Sequence, residues 1–298
     1  GNAYIKYVLN KGGLVRLTNR RLSNANLAQI GSVMQGTPAQ KNDLAQVWIL
    51  SKSGDGYNLR NASTGAYLDS ENNFRSPNAS AVKLYIQSSP NNTATSSYIN
   101  LSTKADFAGN ECLNLNGDGT SLYKWACKGD HGSDWSITVV DNFSLDEVLA
   151  GLLANSKYKA PQEGKYYRIQ NLNYKTYINE GITSNGLGCK GLNEDKLAQY
   201  WTLVKIGSGF ALQNVCTQRY VVRQGGALSR QYTTQEAKPG QGFTCKRTAD
   251  DTNFTYYIVD NGGVGLHCDQ GSNVVGWHTE GLSSSTWGFE EVELTDEF

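Results

Sequence analysis

Apolar and polar positions along this chain alternate in short runs. Examples are Leu14-Val15-Arg16-Leu17, Tyr57-Asn58-Leu59, Tyr67-Leu68, Val82-Lys83-Leu84-Tyr85-Ile86, Tyr166-Tyr167-Arg168-Ile169, Tyr220-Val221-Val222 and Tyr256-Tyr257-Ile258-Val259. Gly, Asn, Asp or Ser clusters bound each run. Short runs rich in β-branched and aromatic residues, cut by turn formers, predict strands. One stretch breaks the pattern. Leu145, Val148, Leu149, Leu152 and Leu153 follow helical spacing and form one apolar stripe that must be buried. Ser144 followed by Glu147 reads as a capping box, with Phe143 placed to staple onto Val148. The pattern predicts one helix over 144–154, then an exposed joint over 155–164 containing Pro161 and Gly164.

The strands belong to a repeat. Leu44-Ala45-Gln46-Val47-Trp48-Ile49-Leu50 returns 153 residues later as Leu197-Ala198-Gln199-Tyr200-Trp201-Thr202-Leu203. Gly56-Tyr57-Asn58-Leu59-Arg60-Asn61 returns at the same offset as Gly209-Phe210-Ala211-Leu212-Gln213-Asn214, and Tyr67 maps to Tyr220. Trp125, Trp135, Arg16 and Asn19 map to Trp277, Trp287, Arg168 and Asn171 at an offset of 152. Two halves follow, 1–142 and 163–298, with 143–162 as a helical linker. Inside each half a strand-turn-strand unit recurs with a period of roughly 40 residues, giving three units. Three four-stranded units make a twelve-stranded β-trefoil. A six-bladed propeller has a similar period, but the helix falls between the third and fourth units. The expected fold is all-β: two tandem β-trefoil domains joined by a short α-helical linker.

Composition narrows the function. The chain has 27 Lys and Arg against 27 Asp and Glu, so its net charge is zero, and it has no basic block. That argues against a nucleic-acid binder held by phosphate contacts. No apolar run is long enough to span a bilayer. At 39% hydrophobic residues the chain is not of a disordered type. High Gly and Tyr, at 32 and 17 residues, suit turn-rich, short-stranded units. Six cysteines without a Cys-x-x-Cys pair fit an exported protein with disulfides; reduced buried thiols are the alternative. A hairpin between Cys112 and Cys127 would bring those two together. The chain opens at Gly1 and its only methionine is Met34, so it reads as a processed product in which the absence of a signal segment carries no weight. Further domains of a larger surface protein are an expected context.

Two features carry a family resemblance. One is the pair of closing motifs Gln46-x-Trp48 and Gln199-x-Trp201. The other is Cys112-Leu113-Asn114-Leu115, then Leu122-Tyr123-Lys124-Trp125-Ala126-Cys127, then Asp134-Trp135. With these the chain resembles the ricin-B-like β-trefoil lectin superfamily, over essentially its whole length. The resemblance implies carbohydrate binding. An acidic or amide residue grips sugar hydroxyls, an aromatic ring stacks on the sugar, and an Asn beside the closing Gln completes the site. By position this points to Asn114, Tyr123 and Trp125 in the first half and to His267, Asp269 and Trp277 in the second. Asn116, His131 and His278 stand near them and complete the candidate set. The chain departs from the family beside its closers. Gly132-Ser133 and Ser284-Ser285 replace Asn-Gln, and Ala45 and Ala198 replace the Asn of the first units. The middle units, 56–90 and 209–247, lack a clear Gln-x-Trp.

Other chemistry is thinner. Asn114-x-Asn116-x-Asp118-Gly119 opens like a calcium loop, but Trp125 stands at its twelfth position, and Asp118-Gly119 is a hairpin dipeptide. Gly186-Leu187-Gly188-Cys189-Lys190-Gly191 fits Gly-x-Gly-x-x-Gly but opens no amphipathic helix, so it reads as a loop. His131, His267 and His278 have no zinc spacing and no nucleophile elbow nearby. His267 and His278 are placed to converge across a hairpin near Trp277. Trp48, Trp135, Trp201 and Trp287 are expected in the core, while Trp125 and Trp277 precede turns and are expected to be partly exposed. No cofactor or metal is called for. The expected function is non-catalytic binding of a neutral glycan by a secreted or cell-surface protein. A protein-binding or inhibitory trefoil with decayed sugar sites is the alternative, and a glycosidase with paired carboxylates is a third reading.

Overall fold

The computed structural model describes residues 1–181, 186–192, 198–225 and 230–294. It divides into two compact units, Gly1–Ala154 and Asn155–Phe298. The strands of the first are β1 (Gly13–Asn19), β2 (Ala25–Ile30), β3 (Val33–Pro38), β4 (Trp48–Ser53), β5 (Gly56–Asn61), β6 (Tyr85–Ser88), β7 (Tyr98–Ser102), β8 (Cys112–Leu115), β9 (Leu122–Trp125) and β10 (Trp135–Val139). Six of them close a ring. β1 pairs with β4, β4 with β5, β6 with β7, β7 with β10, and β10 with β1. The Tyr57–Leu84 bridge supplies the remaining step from β5 to the start of β6. Outside the ring lie the hairpins β2–β3 and β8–β9 and a shorter one held by the Tyr67–Asn78 bridge. A six-stranded barrel carrying three hairpins is a β-trefoil.

The second unit is built the same way. Its strands are β11 (Tyr166–Asn171), β12 (Tyr177–Asn179), β13 (Gly188–Lys190), β14 (Trp201–Ile206), β15 (Gly209–Asn214), β16 (Tyr220–Arg223), β17 (Tyr232–Gln235), β18 (Thr244–Arg247), β19 (Thr255–Val259), β20 (Gly265–Asp269), β21 (Asn273–Trp277) and β22 (Trp287–Val292). The ring runs β11–β14–β15–β18–β19–β22 and back to β11, with the β15–β18 step made by the Phe210–Phe243 bridge. The hairpins are β12–β13, β16–β17 and β20–β21.

The closing residues show why these sequences fold so. Trp48, Trp135, Trp201 and Trp287 are wholly buried. Their indole N–H groups donate to the carbonyls of Leu27, Leu113, Ile178 and Leu266 at 2.9–3.0 Å. Each Trp thus fills the core and ties a barrel strand to a hairpin strand without leaving a buried donor unpaired. Gln46 is an internal tie as well. It donates to the Pro38 carbonyl and accepts from the Asn26 side chain and the Gln40 N–H. Gln199 donates to the Gly191 carbonyl at 2.9 Å. The middle units close on Leu84 and Phe243 instead, which exchange paired backbone bonds with Tyr57 and Phe210. Gly56 and Gly209 permit that close pairing. A Cβ on them would lie 2.5 and 2.6 Å from the Leu84 and Phe243 carbonyl oxygens.

The helix over Leu145–Ala154 forms as its spacing predicts. The Ser144 hydroxyl oxygen accepts from the Glu147 N–H. Val148 and Leu152 are buried against Leu14, Val47, Ile49, Ala62 and Val140 of the first unit, with Phe143, Leu145 and Leu149 packed alongside. Four expectations need correction. A second helix, Asn2–Lys11, opens the chain, and only Ile5 and Val8 of it are buried, too few to announce it by pattern. The run expected at 82–86 enters a strand only at Tyr85. The joint over 155–164 is not wholly exposed. Tyr158 is buried, its ring lies against Gly288, and its hydroxyl donates to Gln170 Oε1 at 2.5 Å. The glycine-rich stretch ending at Gly191 contains strand β13 rather than only loop, because its backbone pairs with β12 and β21. Asp118-Gly119 does form the hairpin turn. The Asp118 carboxylate accepts from the N–H groups of Ser121 and Thr120, which hold its pKa below the usual carboxylate value.

Candidate functional site

In the first unit the candidate residues gather on the β8–β9 hairpin, where Asn114 faces Tyr123 and Cys112 faces Trp125 in register. A disulfide joins Cys112 to Cys127 with Cα atoms 5.4 Å apart. It pins the end of the hairpin that carries Trp125. Trp125 is 45% exposed, and the Tyr123 ring lies 5.9 Å from it at a tilt of 58°. Asn114 is fully buried. Its Nδ2 donates to Ser133 Oγ at 2.8 Å, and that hydroxyl donates to the Ala126 carbonyl at 2.7 Å. Asn114 Oδ1 is buried without a hydrogen-bond partner. The neighbourhood of Gly132 accounts for the burial. A Cβ on Gly132 would lie 2.8 Å from both Asn114 Oδ1 and Arg21 Nη2. Arg21 in turn donates to the Leu115 carbonyl and faces Asp130 at 3.5 Å. Asn116 and His131 are exposed. Asn116 belongs to the hairpin turn and His131 opens a short 3-10 turn. Among the described residues no hydrogen bond or ring contact brings either to Trp125.

In the second unit the equivalent hairpin is β20–β21, where Gly265 faces Trp277 and His267 faces Val275. Trp277 is 37% exposed. The His267 ring lies 6.1 Å from it and the His278 ring 5.7 Å from it, so three candidates converge. His267 Nδ1 is 2.7 Å from Ser285 Oγ, and Ser285 Oγ donates to the His278 carbonyl at 2.9 Å. A serine hydroxyl has one proton, and here the carbonyl takes it. His267 Nδ1 therefore carries the hydrogen, which leaves Nε2 as an acceptor. The first unit supports this assignment, since Asn114 Nδ2 can only donate at the same place. Burial lowers the proton affinity of His267, partly opposed by the charge of Asp269, so the ring is neutral near pH 7. Asp269 itself is exposed at the end of β20.

Five exchanges around the serine distinguish the two sites. Asn173 stands where the first unit has Arg21, and Ser284 where it has Gly132; Asn173 Nδ2 donates to Ser284 Oγ at 2.9 Å. Gly265 and Thr279 replace the disulfide cysteines, and a Cβ on Gly265 would lie 1.9 Å from Thr279 Cγ2. His267 replaces Asn114 and is only partly buried. Reading the sequence placed Ser133 and Ser285 only as departures from a motif. Each is the hub of its site, and its position two residues before a closing Trp is the signal that locates it. Arg21 and Asn173 come from the first repeat of each unit, and nothing local in the sequence marks them.

The middle repeat of the second unit holds a cavity of about 350 Å³, lined in part by Val222, Arg223, Gln241, Asp260 and Asn261. Arg223 Nε donates to Asp260 Oδ2 at 2.7 Å, and the Tyr232 hydroxyl donates to the same oxygen at 3.1 Å. Among the described residues no group of three or more His, Cys, Asp and Glu is arranged to hold a metal ion. No helix among them is long and apolar enough to cross a membrane.

No family model matches the chain, and no curated protein matches it. Solved structures do. The chain resembles ricin B-like and β-trefoil lectins in fold. A ricin B-like lectin from Macrolepiota procera, solved in complex with lactose, is 18% identical; the match covers 45% of this chain and all of that one, with a TM-score of 0.41. The designed threefold-symmetric protein ThreeFoil is 15% identical over 43% of this chain and 99% of its own, with a TM-score of 0.39. A mosquitocidal holotoxin is 14% identical over 95% of this chain, with a TM-score of 0.37, and the match spans about a third of the toxin, 35%.

Proposed function

We propose that the protein binds neutral carbohydrates without catalysis, through the third repeat of each unit, as a secreted or cell-surface protein. One observation carries the reading: in the second unit an exposed Trp ring stands beside a partly exposed, serine-anchored His267, and the first unit repeats the exposed ring at the equivalent position. A pyranose offers C–H groups on its face and hydroxyls at its rim. The face stacks on Trp277, and a rim hydroxyl donates to His267 Nε2, with His278 beside the ring and the charge of Asp269 acting on His267. Zero net charge favours a neutral ligand over a polyanion. Each site is shallow, so strength comes from engaging more than one.

A second reading has support in the first unit. Asn114 is fully buried there, so Trp125 and Tyr123 present rings without the amide, a surface suited to a protein partner. Neutral and acidic glycans arrayed on a surface test both readings, using the wild-type chain, Trp125→Ala, Trp277→Ala and the double variant. The expected result is binding to neutral glycans that falls in Trp277→Ala and is lost in the double variant. No bound glycan, or binding that survives both changes, sinks the lectin reading.

A further inference from the structure

The cores of the two units differ at one pair of facing positions. In the first unit Gly36 pairs with Leu27, whose carbonyl accepts from Trp48, and the Gly36 N–H donates to the Thr120 carbonyl at 2.9 Å. In the second unit Cys189 pairs with Ile178, whose carbonyl accepts from Trp201, and the Cys189 N–H donates to the Ser272 carbonyl at 2.8 Å. Cys189 therefore occupies the place of Gly36. By the same pairing Cys268, opposite Val274, occupies the place of Leu115, opposite Leu122. A Cβ on Gly36 would lie 2.7 Å from Leu115 Cδ1, so these two positions face each other across the core. The space taken in one unit by a leucine against a glycine is shared in the other by two thiols.

Cys189 and Cys268 are 5% and 0% exposed. Each thiol acts directly on the other, with the Thr176 hydroxyl beside them. The contact with Cys189 draws the Cys268 pKa down, and the contact with Cys268 pushes that of Cys189 up. Cys245 has no such neighbour, and burial alone pushes its pKa up to about 12.

We infer that Cys189 and Cys268 form a second disulfide, joining β13 to β20. It links the first repeat of its trefoil to the third, whereas the Cys112–Cys127 bond stays within one hairpin. Bond formation needs a disulfide oxidant of the glutathione class. The Cys268 thiolate attacks one sulfur of the oxidant and expels the other as a thiol. The Cys189 thiolate then attacks the Cys268 sulfur and expels the second thiol. Two protons and two electrons pass from the protein to the oxidant. Because both positions are buried, the exchange takes place while the chain folds.

The test uses the full chain expressed into an oxidising compartment. The protein is denatured in N-ethylmaleimide, digested without reductant and mapped by mass spectrometry. The expected map holds a peptide pair joined through Cys189 and Cys268, two hydrogens lighter than its parts, as the major form of both residues. Alkylation of Cys189 and Cys268 in the major form, or a bond from either to any other cysteine, overturns the inference.

Discussion

The third hairpins of the two units hold the same hydrogen-bond relay and expose it differently. In both, a serine hydroxyl donates to the carbonyl that follows the exposed Trp and accepts from a side chain on the preceding strand. In the first unit the accepting serine is served by an asparagine sealed under Gly132 and Arg21. In the second it is served by a histidine that is only partly buried, with Asn173 in place of the arginine and bonded to Ser284. The relay is thus a structural device first. Whether it also meets a ligand depends on what lies over it. A motif can persist in both copies of a fold while only one copy keeps its polar atoms reachable.

The relay hangs on the closing tryptophans, so their removal should produce the largest effects. Trp135→Ala and Trp287→Ala should each destabilise their own unit by about 3–5 kcal/mol, through lost burial and a cavity, with the indole hydrogen bond gone as well. Denaturant unfolding that resolves the two units should show one transition moving in each variant. Equal movement of both would break the picture of separate cores.

Next comes the disulfide. Replacing Cys112 and Cys127 with the second unit's residues, as Cys112→Gly with Cys127→Thr, should cost the first unit about 3 kcal/mol, the scale for closing a loop of this size. In thermal melts with and without a reductant, the transition of the first unit should stay in place for the variant and move for the wild type. A variant as stable as the wild type would show that the glycine–threonine contact does the same work.

For binding, Trp277→Ala should weaken glycan affinity about tenfold, roughly 1.4 kcal/mol, and Trp125→Ala should weaken it less. Titration calorimetry with a neutral oligosaccharide gives both numbers. A larger loss from Trp125→Ala would reverse the ranking of the sites.

The smallest effect is the dependence on pH. Burial lowers the folded pKa of His267 below its ordinary value near 6.5. As pH falls, the unfolded chain takes up this proton first. The second unit therefore loses stability as pH drops from about 6.5 towards the folded pKa, and the loss levels off below it. Below the folded pKa, Nε2 becomes a donor and can no longer accept from a sugar hydroxyl. Glycan affinity at the second unit should fall in mildly acidic buffer and stay level at the first. His267→Asn, which installs the first unit's residue, should flatten the profile. An acid-induced loss that persists in His267→Asn would remove His267 as its cause.

Much of the fold was legible because it rests on local patterns. Period-two runs marked the strands, and the Leu145–Leu153 stripe with its Ser144 cap marked the helix that packs on the first unit. The closing tryptophans announced the repeats because a large ring there fills the core and finds a carbonyl for its N–H. The middle closers, Leu84 and Phe243, went unread because they fill the same place without a shared motif. The helix Asn2–Lys11 went unread because it buries only two side chains. At the candidate sites, the expected partial exposure of Trp125 and Trp277 is found, and His267 and His278 do converge on Trp277. Asn116 and His131 stand apart, since adjacency in the chain does not bring a turn residue to a strand ring.

The sequence by itself determined the three-fold repeat, the all-β class and the positions of the rings, because hydrophobic period and turn chemistry act over a few residues. Tertiary structure decided which polar atoms remain accessible. Asn114 and His267 hold one position in the repeat, yet the first is sealed beside Gly132 and Arg21 while the second stays partly exposed. Arg21 comes from a turn 93 residues before Asn114, and only barrel closure brings the two together.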